Sequence, residues 1–202
     1  MAAAGPMMSK QRVALLGGTF DPVHVGHLFV AEEVHRLFGY QRILFVPAAQ
    51  PPHKQRQPCA DAQQRLEMLQ LAVAGNHAFA VESWELHQGG VSYTVDTVRH
   101  LSGRCDGRLG LIIGDDLVEG FDRWHLAQEL IRRTDIMVAR RDDRPLPGLL
   151  SAATALDNSP LAVSSSMIRE RIGRGAAFRY LVPESVYDYI QRHGLYRMHA
   201  VR

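Results

Sequence analysis

Short apolar runs alternate with segments of helical periodicity along most of this chain. Residues 12–16 predict a buried strand, and residues 25–38 predict a helix that Gly39 ends. A second strand is predicted at residues 42–46. Together these segments predict a β-loop-α-β unit, in which the crossover is nearly always right-handed and the strands are parallel.

The same alternation continues through the rest of the chain. Residues 109–113 form an uninterrupted apolar run, which is typical of a central strand covered on both faces. The other predicted strands are residues 79–84, 136–139 and 161–163, and the other predicted helices are residues 61–74, 94–101, 125–132, a helix beginning at 164–166, and 184–193. This order predicts one doubly wound, Rossmann-like α/β domain, a parallel sheet with helices on both faces. We expect it over residues 11–202, after a flexible prefix at residues 1–10.

The composition excludes several classes of protein. With 46% hydrophobic and 22% charged residues among 202, the chain is neither disordered, nor a collagen, nor a small disulfide scaffold. Its 23 Lys and Arg against 21 Asp and Glu are too balanced for a nucleic-acid-coating protein. Without a targeting segment or a run of about 18 apolar residues, we expect a cytoplasmic protein with no membrane or nucleic-acid partner. Cys59 and Cys105 are then expected to be free thiols, and a homo-oligomer is left open.

The loop after the first strand has the composition of a phosphate-binding site. Gly17 and Gly18 allow the backbone to approach a ligand closely, and His24 and His27 share one face at the positive end of a helix. The loop matches neither the GxGxxG dinucleotide fingerprint nor the Walker A motif. A metal-binding histidine pair, a helix cap and two surface histidines are alternative interpretations. Gly26 lacks a side chain between the histidines, which favours close approach of a bulky ligand.

A second candidate phosphate site begins at residue 164, where the chain reads SSSMIR. Hydroxyl groups and unpaired N–H groups at a helix start bind phosphate oxygens, and Arg169, one turn later, can contact two oxygens at once. An ordinary serine cap followed by a surface arginine would explain the same residues.

The two segments, GGTFDPVHVGH at residues 17–27 and SSSMIR at residues 164–169, resemble the signatures of the HxGH nucleotidyltransferase superfamily. Further blocks resemble the bacterial nicotinate mononucleotide adenylyltransferases within that superfamily. They are PPHK at residues 51–54, SYT at 92–94, IIGDD at 112–116, Trp124, RR at 140–141 and GLYR at 194–197. The resemblance runs in family order from about residue 12 to residue 197, and only the prefix and residues 142–159 lack a match.

The resemblance implies transfer of AMP from ATP to nicotinate mononucleotide, which gives nicotinate adenine dinucleotide and pyrophosphate in NAD biosynthesis. Transfer to nicotinamide mononucleotide and a non-catalytic nucleotide-binding regulator are the alternatives, and transfer to phosphopantetheine or cytidylyl transfer fits less well. Mg²⁺ is expected to arrive with ATP, because it prefers phosphate and water oxygens to a cage of protein ligands. No metal site of the protein's own is expected.

The resemblance also implies roles for single residues. Trp124 would stack on the pyridine ring, while Tyr93 and Thr94 would offer backbone donors to its carboxylate. The implied catalytic residues are His24, His27 and Arg169. ATP would contact Gly17, Gly18, Thr19, Phe20, His24, Gly26, His27, Gly114, Ser165, Ser166 and Arg169. The mononucleotide would contact Thr19, Lys54, Tyr93, Thr94, Asp116, Trp124 and Arg141. A core role for Trp124 and a solvated surface role for Lys54 are the alternatives.

The sequence departs from the family pattern in three places. Ser166 stands where threonine is usual and keeps the hydroxyl group. Asp115 adds a second carboxylate beside Asp116, and Asp142 and Asp143 replace the usual Pro-Gly. These acids bear on metal dependence and local loop shape rather than on the class of reaction.

Overall fold

An all-parallel sheet forms the centre of this computed structural model, which describes residues 11–50, 58–105, 107–140, 144–157, 159 and 161–197. Within those ranges the sheet has six strands in the order β3-β2-β1-β4-β5-β6. The strands are β1 Val13–Gly18, β2 Arg42–Pro47, β3 Phe79–Val81, β4 Leu109–Gly114, β5 Thr134–Ala139 and β6 Thr154–Leu156. The chain order reverses between β1 and β4, and ligands bind at such a switch point in open parallel sheets.

Helices cover both faces of the sheet, which confirms the predicted doubly wound α/β fold. They are α1 Val25–Leu37, α2 Ala62–Val73, α3 Trp84–Gln88, α4 Thr94–Ser102, α5 Ala127–Arg133, α6 Ser165–Gly173 and α7 Glu184–His193. Ala14 and Leu16 of β1 belong to the core formed with α1, α2, α6 and α7. Val13 and Leu15, which point to the opposite face, belong to the core formed with α4 and α5. A central strand buried on both faces accounts for the uninterrupted apolar runs in the sequence.

The predicted elements agree with the structure at most positions and fail at three. The segment at residues 79–84 is a strand only as far as Val81, and Trp84 begins the short helix α3. The helix expected at residues 125–132 begins at Ala127, because Leu126 has a left-handed backbone with a φ of 53°. Residues 161–163 are not a strand, and the sixth strand is β6, in the stretch that the pattern left unassigned.

The described helices include none that is long and apolar enough to cross a membrane. The expected prefix at residues 1–10 lies outside the described residues, so the division into a prefix and one domain stays a prediction.

Candidate active site

A cleft of about 1210 Å³ opens at the carboxyl ends of β1 and β4. Every predicted site residue that the structure describes lines this cleft. These residues are Gly17, Gly18, Thr19, Phe20, His24, Gly26, His27, Tyr93, Thr94, Gly114, Asp116, Trp124, Ser165, Ser166 and Arg169. Lys54 and Arg141, also predicted, lie outside the described residues. The fold thus brings together positions spread over most of the chain.

The loop after β1 folds back over its own glycines. Phe20 has a φ of 52°, which is rare for a residue with a side chain, and its ring lies over Gly18. A Cβ atom at Gly18 would lie 3.1 Å from Cζ of Phe20, so the missing side chain lets the loop close this tightly. The Phe20 ring also meets the ring of His27 edge-on, with centroids 5.0 Å apart. Phe20 therefore packs the loop against the ring of His27.

His24 and His27 are joined at the N-terminus of α1. The main-chain N–H of His24 donates to Nδ1 of His27 at 3.2 Å, and the two rings stack with centroids 3.7 Å apart. A ring nitrogen that accepts a hydrogen bond carries no proton, so the neutral His27 ring holds its proton on Nε2. The backbone thereby presents His27 as a hydrogen-bond donor through Nε2, beside the positive end of a helix.

Gly26 makes room for the protein's own atoms. A Cβ atom there would lie 2.8 Å from Cγ1 of Val163 and 3.1 Å from Nδ1 of His24. We expected the missing side chain to admit a ligand, but the space is taken by Val163 and the His24 ring. Gly26 is therefore needed for the packing that holds His24 against the start of α1.

The start of α6 is tied directly to the loop after β1. Ser164 caps the helix and accepts from the N–H of Met167 at 3.2 Å, while Oγ of Ser165 donates to the carbonyl of Pro22 at 2.8 Å. Nη1 of Arg169 donates to the main-chain carbonyl of Asp21 at 2.5 Å, and Nη2 donates to Oγ of Ser166 at 3.2 Å. The two candidate phosphate-binding segments thus form one continuous surface.

Sequence reasoning missed two buried charges beneath this surface. Asp21 is 3% exposed, and its carboxylate accepts hydrogen bonds from the N–H groups of Cys59 and Ala60. Arg65 is 1% exposed and donates through Nη1 to the carbonyls of Thr19 and Ala48, both at 2.8 Å. Burial lowers the pKa of the Arg65 guanidinium, while the nearby Asp21 carboxylate opposes that shift.

The sequence pattern of α2 indicates that Arg65 is buried. It precedes Met68 and Leu69 by three and four residues, so helical spacing places it on the buried face of the helix. A buried arginine needs partners, and here it joins the loops that follow β1 and β2.

The opposite side of the cleft carries the residues expected to contact the mononucleotide. Tyr93 is the cap of α4, and its ring packs against that of His125 with centroids 4.5 Å apart. Trp124 is partly buried and packs against Phe121 at 5.2 Å between ring centroids, yet it also lines the cleft. Asp116 is exposed in the helical turn that follows β4. Aromatic faces and a carboxylate therefore share this wall.

Glu85 is a further buried carboxylate on this wall that sequence reasoning missed. It is 8% exposed and accepts a hydrogen bond from the hydroxyl of Thr97. Burial raises the pKa of the Glu85 carboxyl, and hydrogen bonds from Thr97 and Ser92 partly oppose that shift. Oγ of Ser92 also accepts from the N–H of Ala49 at 2.9 Å, so this cluster supports the segment that presents Tyr93 and Thr94.

The lining also includes cations that were not predicted. Arg123 and Arg140 line the cleft beside the described site residues, and both signs of charge therefore face the same space. Among the residues that the structure describes, no group of three or more His, Cys, Asp or Glu side chains is arranged to hold a metal ion.

Comparison with known proteins gives the family. Residues 15–171 match the cytidylyltransferase-like family model. A protein of Treponema pallidum (strain Nichols) is named a probable nicotinate-nucleotide adenylyltransferase and is 37% identical over an alignment of 202 positions. The alignment covers 92% of this chain and 99% of that protein. One of the same name from Geobacillus thermodenitrificans is 41% identical over 190 residues, covering 92% of this chain and 86% of that protein.

Solved structures share the fold. The nicotinic acid mononucleotide adenylyltransferase of Plasmodium falciparum in complex with NaAD superposes with a TM-score of 0.74 at 17% identity, covering 92% of this chain and 97% of that one. A putative nicotinate-nucleotide adenylyltransferase from Vibrio parahaemolyticus gives a TM-score of 0.67 at 18% identity, covering 94% and 97%. From the family model and the sequence relatives together, the chain belongs to the cytidylyltransferase-like family, in its nicotinate-nucleotide adenylyltransferase group.

Proposed function

We propose that this protein transfers AMP from ATP to nicotinate mononucleotide, giving nicotinate adenine dinucleotide and pyrophosphate. The observation that carries the proposal is the joining of the two phosphate-binding segments, through Ser165 to Pro22 and through Arg169 to Asp21. This junction sets serine hydroxyls, a guanidinium and two imidazoles along one wall of the cleft. Such donors suit a triphosphate, because charge-assisted hydrogen bonds to phosphate oxygens are about twice as strong as neutral ones.

The volume of the cleft is large enough for two substrates. Sites for one small ligand have volumes of about 300–1,000 Å³, whereas this cleft has about 1210 Å³. We place ATP on the side of His24, His27 and α6, and the mononucleotide on the side of Tyr93 and Trp124. The names of the sequence relatives and the NaAD complex of the Plasmodium falciparum enzyme support this pair of substrates.

The chemistry requires little of the side chains beyond position and charge. An oxygen of the mononucleotide 5′-phosphate attacks the α-phosphorus of ATP, and the bond from that phosphorus to the β-phosphate oxygen breaks. The attacking oxygen is already ionised, so no base and no covalent intermediate is needed. His27, through Nε2–H, and Arg169 would stabilise the negative charge that develops on the leaving pyrophosphate, which is a large contribution in a site shielded from water.

Magnesium is part of the substrate in this proposal. Mg²⁺ keeps several waters and binds phosphate oxygens, so ATP would carry it into the cleft. The carboxylates of Asp115 and Asp116 line the cleft and would offer oxygen ligands to the ion that ATP carries. The thiol of Cys59 is free, which is compatible with the cytoplasmic location that we also propose.

The experiment is a comparison of acceptors. The purified protein is incubated with Mg-ATP and either nicotinate or nicotinamide mononucleotide, and both pyrophosphate and dinucleotide are measured. We expect kcat/KM for the acid to exceed that for the amide by about tenfold or more, because a charge-assisted hydrogen bond is about twice as strong as a neutral one. Comparable values would contradict acid selectivity. ATP binding without turnover on any acceptor would favour a nucleotide-binding regulator instead.

A further inference from the structure

Three main-chain and side-chain donors converge on the buried carboxylate of Asp21. Cys59 donates its N–H to Oδ2 at 2.8 Å, Ala60 donates its N–H to Oδ1 at 3.1 Å, and the hydroxyl of Tyr196 donates to Oδ1 at 2.8 Å. A carboxylate shielded from water needs such donors, because buried polar atoms without hydrogen bonds are costly, and the donors fix its direction. Tyr196, which follows α7, is the most distant of the three along the chain and the only one that uses a side chain.

Asp21 in turn holds Arg169. Nη1 of Arg169 donates to the Asp21 carbonyl at 2.5 Å and lies 3.7 Å from Oδ2 of the same residue. Both the main chain and the side chain of Asp21 therefore set the direction of the guanidinium. The order of contacts from the C-terminal segment to the cleft is Tyr196, Asp21 and Arg169.

The backbone is strained on both sides of this contact. Tyr196 has a φ of 64°, and Phe20, which directly precedes Asp21, has a φ of 52°. In the described part of the chain only Leu126 shares this left-handed conformation among residues other than glycine. Strain of this kind persists where surrounding contacts impose it, and it concentrates at functional sites.

We propose that Tyr196 is a positioning residue for the ATP side of the cleft, acting through Asp21 on Arg169. Its hydroxyl fixes the Asp21 carboxylate, which then keeps the Arg169 guanidinium aimed at the phosphates. The proposal rests on the proposed function for the identity of ATP. Direct binding of a non-hydrolysable ATP analogue tests it separately from the acceptor reaction.

The test compares Tyr196→Phe with a matched control in the full-length protein. Tyr189→Phe removes a hydroxyl that donates to Oε2 of Glu67 at 2.6 Å. This hydrogen bond joins the C-terminal part of the chain to α2 rather than to Asp21, and neither of its residues lines the cleft. For each variant, calorimetry gives the Kd of α,β-methylene-ATP, steady-state kinetics give kcat and both KM values, and thermal unfolding gives Tm.

We expect Tyr196→Phe to weaken binding of the analogue by about 3- to 10-fold. One hydrogen bond to a charged group is lost, and only part of its free energy affects the ATP side of the cleft. The KM for ATP should rise with it, and the KM for nicotinate mononucleotide should stay within about twofold. Tyr189→Phe should change Tm alone. Equal effects of the two variants on Kd and Tm would overturn the proposal and leave Tyr196 as a structural tie.

A double-mutant cycle tests whether the effect passes through Arg169. In an Arg169→Ala background, Tyr196→Phe should cause no further loss of analogue affinity, because the group that it positions is gone. The same fold-loss in both backgrounds would overturn the route through Arg169. If Tyr196→Phe alone lowers Tm too far for kinetics, the cycle is measured by analogue binding at low temperature, where the folded state is retained.

Discussion

Nδ1 of His27 accepts a hydrogen bond from the main-chain N–H of His24, and the two rings stack with centroids 3.7 Å apart. The bond holds the neutral His27 ring in the tautomer with its proton on Nε2. His27 thereby presents a hydrogen-bond donor, as the proposed contact with a phosphate oxygen requires, rather than a base. This assignment agrees with a reaction in which the attacking phosphate is already ionised.

Replacing His27 by alanine should lower kcat by about 10²–10³, because it removes a donor that acts on charge developing in the transition state. Tm should move by only a few degrees, since the ring lies partly exposed at a helix start. Turnover and thermal unfolding are measured on the same variant. His35→Ala is the control, since His35 lies on α1 outside the cleft and its Nδ1 is hydrogen-bonded to the carbonyl oxygen of Tyr40.

The zinc content of the wild-type protein tests the alternative interpretation, in which His24 and His27 bind a metal ion. Stoichiometric zinc that is lost together with activity and stability in His27→Ala would replace the phosphate site with a metal site. Turnover near the wild-type value would remove His27 from the reaction.

Trp124→Ala should raise the KM for nicotinate mononucleotide by the equivalent of about 1–3 kcal/mol, the free energy of a base stacked on an aromatic ring. The affinity for ATP should barely change. Trp84→Ala is the matched control, since Trp84 stacks on His100 at 4.5 Å between ring centroids and lies outside the cleft. If both substrates lost affinity equally in Trp124→Ala, the indole would be acting as part of the core beside Phe121.

Gly26→Ala should lower kcat by about tenfold or more, because the new Cβ would push the His24 ring and Val163 apart and shift the phosphate donors, and small displacements are costly in catalysis. The double variant Gly26→Ala with Val163→Ala should recover part of the activity by restoring space. Gly103→Ala is the control, because a Cβ there meets no atom within 4 Å. An unchanged kcat in Gly26→Ala would show that the close contact has no part in positioning His24.

Glu85→Gln should alter the dependence of stability on pH. Burial raises the pKa of Glu85 above its ordinary value of 4.5, so the folded state holds the proton more tightly than the unfolded state. Below pH 4.5 the carboxyl is protonated in both the folded and the unfolded state, so burial of its charged form costs no stability. As the pH rises through the raised pKa, the free energy of unfolding of the wild type falls. The variant keeps the oxygen that accepts from Thr97 but cannot ionise.

The check is Tm as a function of pH for the wild type, Glu85→Gln and the exposed control Glu119→Gln. The advantage of Glu85→Gln over the wild type should grow from acidic to neutral pH, while the control runs parallel to the wild type. A constant difference across the range would mean that Glu85 does not resist ionisation in the folded protein.

The fold was predictable where periodicity and end signals coincide. The helix α7 has the predicted bounds, Glu184–His193, because its apolar face and the following Gly194 both mark it. The strand β6 was not predictable, because it is three residues long and only Leu156 in it is buried. Its pairing with β5 depends on the neighbouring strand rather than on an alternating pattern of its own.

The candidate site was predictable in its lining and not in its supports. The glycines, histidines and serines that line the cleft stand in local motifs that phosphate chemistry explains. Asp21, Arg65 and Tyr196 act through contacts between segments far apart in the chain. Such contacts follow from the tertiary arrangement, which no local spacing encodes, although the helical position of Arg65 indicated its burial.

The most direct test of adenylyl transfer follows the phosphorus atoms of ATP. The protein is incubated with nicotinate mononucleotide and ATP that is labelled at either the α- or the γ-phosphorus, and the products are separated. Attack at the α-phosphorus predicts that the α-label enters the dinucleotide and that the γ-label leaves as pyrophosphate. A γ-label found on the mononucleotide, or an α-label that remains in ADP or AMP without forming a dinucleotide, would contradict the account.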